Sequence, residues 1–196
     1  MLNTIKLTIH ILLLCSLPFI FCLISCQNTE YEQMLKREQA RGIRVDSLFL
    51  GLKFGDSKKE FFDKCRKMNL QGITEDGSGV GLNVQVLHRV DSTLTDDNVN
   101  MYFYPNFDEK YNIIEMPVYY TYKAYFPYVQ RFKSTALMPQ VIKLMENQYG
   151  KFLTIAKEGK DTLYVRVDGN RRILISKKDD QFVSVKFTDL TATQKK

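Results

Sequence analysis

One capping box followed by a change of hydrophobic period constrains this chain more than any other feature. Ser57 and, three residues on, Glu60 form a helix-start signature in which each side chain satisfies the other's backbone N–H. Phe61, Phe62, Cys65 and Met68 then recur at helical spacing and predict one buried stripe. Lys64, Arg66 and Lys67 fall toward the negative end of the helix dipole, and Gly72 is a stop signal. Beyond it the period drops to two. Leu82, Val84 and Val86 alternate with Asn83 and Gln85, and Val99, Met101 and Phe103 alternate with polar or tyrosine neighbours. Asp96-Asp97-Asn98 is the turn between them. Tyr111 to Tyr125 is a third β-prone stretch, with an edge or a bulge expected at Pro117.

The order then recurs. Leu137 to Tyr149 predicts a second helix, with Val141, Leu144 and Met145 on one side, Pro139 in its first turn and Gly150 closing it. Thr162–Val167, Arg172–Ser176 and Phe182–Phe187 predict three strands, the first two joined at the hairpin signal Asp168-Gly169-Asn170. Strands grouped behind a helix argue for an α+β fold: an antiparallel sheet with two helices packed on one face, arranged as tandem helix-plus-three-strand repeats. This layout resembles the tandem modules of β-lactamase-inhibitor-like proteins and small outer-membrane assembly lipoproteins. Those folds imply a binding scaffold.

The N-terminus carries an address. Lys6 precedes an apolar run from Leu7 to Ile24, interrupted by Pro18, and Gln27-Asn28-Thr29-Glu30 is abruptly polar. A positive start, an apolar centre and a small residue at the end describe an export signal. A run of about 18 residues is also near the minimum for a membrane span, so an uncleaved anchor is the rival reading. Leu23-Ile24-Ser25-Cys26 resembles the lipobox of bacterial lipoprotein precursors. Cys15 and Cys22 follow the bulky Leu14 and Phe21, so only Cys26 has a small residue before it. The resemblance implies cleavage before Cys26 and lipidation of its thiol. Residues 1–25 are then a signal peptide, 26–46 a lipidated N-terminus and polar spacer, 47–190 a single α+β domain, and 191–196 a flexible tail. The Phe54–Phe61 segment and Tyr149-Gly150 are also similar to uncharacterised Bacteroides-type envelope lipoproteins. Gln27 after the cysteine implies, by the same resemblance, the outer membrane of a Gram-negative bacterium. Several acyl chains on one residue hold a protein firmly at a bilayer.

Composition narrows the chemistry. The whole chain has 28 basic and 22 acidic residues, and the signal takes only Lys6 with it. The basic residues are spread out, so nucleic acid is not an expected partner. Of four cysteines, Cys65 alone remains unassigned after the signal and the lipid, so no internal disulfide is expected. The fold must rest on its apolar core. His88 is the one histidine beyond the signal, in a strand pattern where a structural role is the simpler reading. Cys65 lies on an apolar stripe, where a thiol is a filler. One histidine and one apolar cysteine do not make a zinc shell, and Asp91, Asp96 and Asp97 lack calcium-loop spacing. No metal, cofactor or catalytic residue is assigned.

Aromatic density between Tyr102 and Phe132 is the remaining oddity. Neighbours on a strand face opposite ways, so one of Tyr119 and Tyr120 must point outward. Outward tyrosines suit binding surfaces. Tyr104, Tyr120 and Tyr122 are the expected contact residues, for an envelope protein, a peptide or a glycan. Two other functions compete. An inhibitor or immunity protein blocking an envelope hydrolase would present Asp91–Asn98 as its loop, and a hydrolase would draw on Asp108, Glu109 and Glu115.

Overall fold

The structure, a computed structural model, describes residues 30–77, 85–87, 99–155 and 162–193. Among the described residues there are four α-helices: α1 (Glu30–Ala40), α2 (Lys58–Leu70), α3 (Ser134–Tyr149) and the single turn α4 (Leu190–Thr193). The described residues form nine strands: β1 (Glu75–Asp76), β2 (Gln85–Leu87), β3 (Val99–Phe103), β4 (Asn106–Phe107), β5 (Ile113–Tyr122), β6 (Leu153–Ile155), β7 (Leu163–Asp168), β8 (Arg171–Lys177) and β9 (Val183–Asp189). Contacts divide the chain into residues 1–36 and 37–196, a division that falls within α1. The second unit holds the sheet. Among the described residues no helix is long and apolar enough to cross a membrane; residues 1–25 and Cys26 lie outside them.

The fold is α+β. The sheet runs β1-β2-β3-β5-β9-β8-β7-β6, every pair antiparallel, with β4 added beside β5. α2 and α3 are each followed by an antiparallel meander in chain order, α2 by β1, β2, β3 and β5, and α3 by β6 to β9. The two meanders meet at their last strands, where Val118 lies opposite Val185. The half after α2 therefore has five strands, four in the meander and β4 beside β5, and the half after α3 has four, against the three expected in each. The short β1, β4 and β6 carry too few residues for period two to reveal them.

Register decides what lies inside. Met116, Val118, Tyr120 and Tyr122 of β5 share a face with Met101 and Phe103 of β3 and with Val183, Val185 and Phe187 of β9. Ile173 and Ile175 continue that face on β8. Phe61, Cys65 and Met68 of α2 and Leu137, Val141, Leu144 and Met145 of α3 join the same buried cluster. Apolar burial at about 25 cal/mol per Å² supplies the main stabilisation of a core like this, where Cys65, the one cysteine among the described residues, is a free thiol.

The capping box forms in full, with both halves of the Ser57–Glu60 exchange present. Phe62, expected in the buried stripe, is instead 39% exposed: one residue beyond Phe61 is a turn of about 100°, enough to carry it to the rim. α3 begins at Ser134, a turn earlier than expected, because the buried Ser134 is fastened to the 179–180 turn through its N–H to the Asp180 carbonyl (2.8 Å). Pro139 consequently sits inside α3 rather than in its first turn. Pro117 lies on a central strand, yet at the point where β5 passes from β3, whose pairing ends at Val118, to β4, whose pairing begins at Glu115. That edge demands no ladder hydrogen bond at the proline.

Arg37–Asp46, read from sequence as part of a spacer, groups with the sheet unit. The Val45 N–H donates to the Asn170 side chain (2.6 Å), the Gly169 N–H donates to the buried Glu38 (3.3 Å), and Arg44 pairs with Asp189 (3.1 Å). Thr191, placed by sequence in a flexible tail, lies in α4, and its N–H donates to Asp189 (2.9 Å).

Candidate functional site

A groove of about 530 Å³ opens between the Ser47–Leu50 loop, the sheet and α3. Its sheet side is Leu87, Met101 and Tyr120, its helix side Leu144, Met145 and Gln148. Leu48 and Phe49 form the loop side, and Tyr149 and Arg171 also line it. The size lies within the range of small-molecule sites, and so does the composition: mostly apolar walls with a few polar groups.

The loop is a tight hairpin. Ser47 bridges to Lys53, and the Leu52 N–H donates to the Phe49 carbonyl (2.9 Å). Leu50 (φ 50°) and Gly51 (φ 73°) are both left-handed, as a type I′ turn requires of its central pair. Gly51 adopts that conformation without strain, whereas a leucine there costs roughly 1–2 kcal/mol. The strain holds an apolar side chain, 39% exposed, at the mouth of the groove.

Polar chemistry in the groove centres on Tyr120 and Arg171. Tyr120 is 3% exposed and lines the groove. Burial pushes this phenol far above its ordinary range, with the neighbouring Tyr149 adding to the effect, so it stays a neutral donor. Tyr149 is spoken for, donating to the Leu48 carbonyl (3.0 Å). Arg171 lies over the Tyr149 ring at 4.9 Å. Its terminal nitrogens donate to the Ser47 carbonyl (2.7 Å) and to Asp168 (3.2 Å), a carboxylate shared with Arg166. The Arg171 Nε is buried without an acceptor. Among the described residues the lining thus carries one cation and no carboxylate.

The expected contact tyrosines do not form an outward face. Tyr120 and Tyr122 are each 3% exposed and point into the core, because they share parity with Met116 and Val118. Tyr122 accepts from the Gln140 amide (2.9 Å) and packs on Phe132. Tyr104, just past β3, packs edge-on to Phe61 (5.8 Å) and Phe107 (6.2 Å). The opposite face carries Tyr102 and Tyr119, which meet Phe182 at 6.2 Å each, with the Lys178 ammonium 4.1 Å from the Tyr119 ring centre. Valine at 118 and methionine at 116 were the available clue, since they mark the even positions as core.

Other sequence candidates are dispersed. Burial raises the Cys65 thiol to about 12, an inert filler. Asp108 accepts the Lys110 and Asn112 N–H groups, which hold its carboxyl below the ordinary range. Glu115 bonds Asn106 (2.8 Å) and pairs with Lys186 (3.5 Å), and Glu109 is exposed. Among the described residues no group of three or more His, Cys, Asp or Glu gathers as a metal site. His88 and the Asp91–Asn98 loop lie outside the described residues. A second cavity, about 440 Å³, lies beside Glu38, Arg44, Gly169 and Asn170. Each of these polar groups is engaged in the clasp described above, which makes it a fastening.

No family model and no curated relative matches the chain. Among solved structures, a DUF4309 family protein (YjgB) from Bacillus subtilis subsp. subtilis str. 168 is similar at 12% identity and a TM-score of 0.34. The match covers 81% of this chain and 94% of that one. The functional reading rests on the groove and on the N-terminal sequence.

Proposed function

We propose that the chain is a lipid-anchored lipoprotein of the cell envelope, seated in the outer membrane of a Gram-negative bacterium, whose α+β body acts by binding rather than by catalysis. The anchor reading is supported by Leu23-Ile24-Ser25-Cys26, where a small residue precedes the thiol and polar chain follows it. The observation that carries the binding reading is the apolar groove whose lining includes an arginine with a buried Nε left without an acceptor. A buried donor without an acceptor costs roughly 1–3 kcal/mol, and a ligand oxygen would recover it. This reading moves the contact site from the tyrosine face to the groove.

Membrane fractionation tests the anchor. The wild-type chain pellets with membranes and resists high salt, whereas Cys26→Ser is released or accumulates with its signal uncleaved. A Cys26→Ser protein that is processed and still pellets as tightly as wild type refutes the lipid anchor.

A further inference from the structure

We infer that the groove takes a single-chain amphiphile ending in a carboxylate, an inference that rests on the groove being the binding site. The walls supply the apolar half: Leu48, Phe49, Leu87, Met101, Leu144 and Met145. A polar glycan would desolvate its hydroxyl groups against these side chains with few partners to replace water. The oxygen-accepting head is specified by the donors. Tyr120 is buried and lines the groove as a neutral donor, and Arg171 carries a buried Nε with no acceptor. Both residues line the groove; Arg171 can only donate, and the Tyr120 O–H donates to the same kind of oxygen.

Charge selects among heads. Among the described residues the lining has the Arg171 guanidinium and no carboxylate, and Asp168, the acid bound to Arg171, is divided between two arginines. An anionic head is therefore favoured over a neutral one, and an ammonium head is disfavoured. A carboxylate brings two oxygens, so it can meet a phenol and a guanidinium together. The apolar lip at Leu50, held in a left-handed turn, covers the tail.

The test uses the full chain in isolated membranes, without the cofactors needed to activate fatty acids. A hexadecanoate carrying a diazirine and an alkyne is added and irradiated, and the labelled peptides are mapped by mass spectrometry. Label is expected on the α3 peptide containing Leu144 and Met145. Excess hexadecanoate should suppress it, hexadecanol should compete less well, and hexadecylamine least. Tyr120→Phe keeps the volume and removes the donor, so labelling should fall about tenfold, the worth of one hydrogen bond to a charged group. Leu144→Trp fills the groove and should abolish it; because that variant can also disturb the core, Tyr120→Phe is the deciding one. Label spread over the surface, equal competition by the amine, or full labelling of Tyr120→Phe overturns the inference. Any of these leaves the lipid anchor untouched, since the anchor is read from fractionation of Cys26→Ser.

Discussion

Replacing Gly169 by alanine should unfasten the N-terminal lead from the sheet. Gly169 sits at φ 55° in the β7–β8 turn, and a Cβ built there would lie 2.1 Å from the Ile43 carbonyl oxygen. Ordinary contact requires a retreat of more than an ångström, and the obstacle is backbone. The left-handed conformation costs an alanine about 1 kcal/mol. The retreat also pulls apart the Gly169 N–H to Glu38 bond and the Val45 N–H to Asn170 bond, each worth about 1 kcal/mol. The expected loss is about 3–4 kcal/mol. Gly55 supplies the control: it is equally left-handed (φ 82°) but has nothing within 4 Å of a built Cβ, so Gly55→Ala should cost only about 1 kcal/mol. Urea unfolding of residues 26–196 carrying Cys26→Ser, followed by tyrosine fluorescence, gives both midpoints. Gly169→Ala should shift the midpoint well beyond Gly55→Ala at unchanged slope. Equal shifts would show that the Ile43 approach and its hydrogen bonds contribute nothing.

Further expectations follow from single residues. Leu50→Asn places the favoured Asn-Gly pair in the hairpin, so stability should rise by about 1 kcal/mol in the same urea assay while amphiphile labelling weakens through loss of the apolar lip. Cys65, with its thiol raised to about 12 by burial, should resist a thiol reagent at pH 8 in the folded protein and react once urea unfolds it; rapid native reaction contradicts the placement. Asp189 gives a pH signature. Burial alone would raise its carboxyl, but hydrogen bonds from Thr191 and Asn170 and the Arg44 charge outweigh burial and hold it below the ordinary 3.8. Its contribution to stability is therefore fully present above that ordinary value and is lost as pH falls through the lower folded value. Asp189→Asn should destabilise the protein at pH 7 and flatten the acid end of the stability profile; an unchanged acid limb contradicts the pairing.

The α+β class was legible because its signals are local. The Ser57–Glu60 box, the Val141–Leu144–Met145 stripe and the Asp168-Gly169-Asn170 turn each act within a few residues. The joining of two meanders through β5 and β9 was not legible, since nothing in Met116–Tyr120 names Val183–Phe187 as a partner. The groove escaped for a similar reason. Leu48, Met101, Tyr120 and Leu144 are scattered over nearly a hundred positions, and only register and helix placement gather them. Tyr120 was singled out by sequence, but as an outward anchor; it lines the site from within. The clasp of Glu38, Arg44 and Asp189 was also hidden, because charged residues in a polar lead read as a solvated face until a partner strand is known.

The anchor is tested most directly by the mass of the first tryptic peptide of the protein extracted from membranes. Cleavage at Lys36 should give a peptide beginning at Cys26 and heavier than its sequence by a thioether-linked diacylglycerol and any further acyl chain. A peptide beginning upstream of Cys26, or one beginning there with an unmodified thiol, would contradict the lipoprotein account.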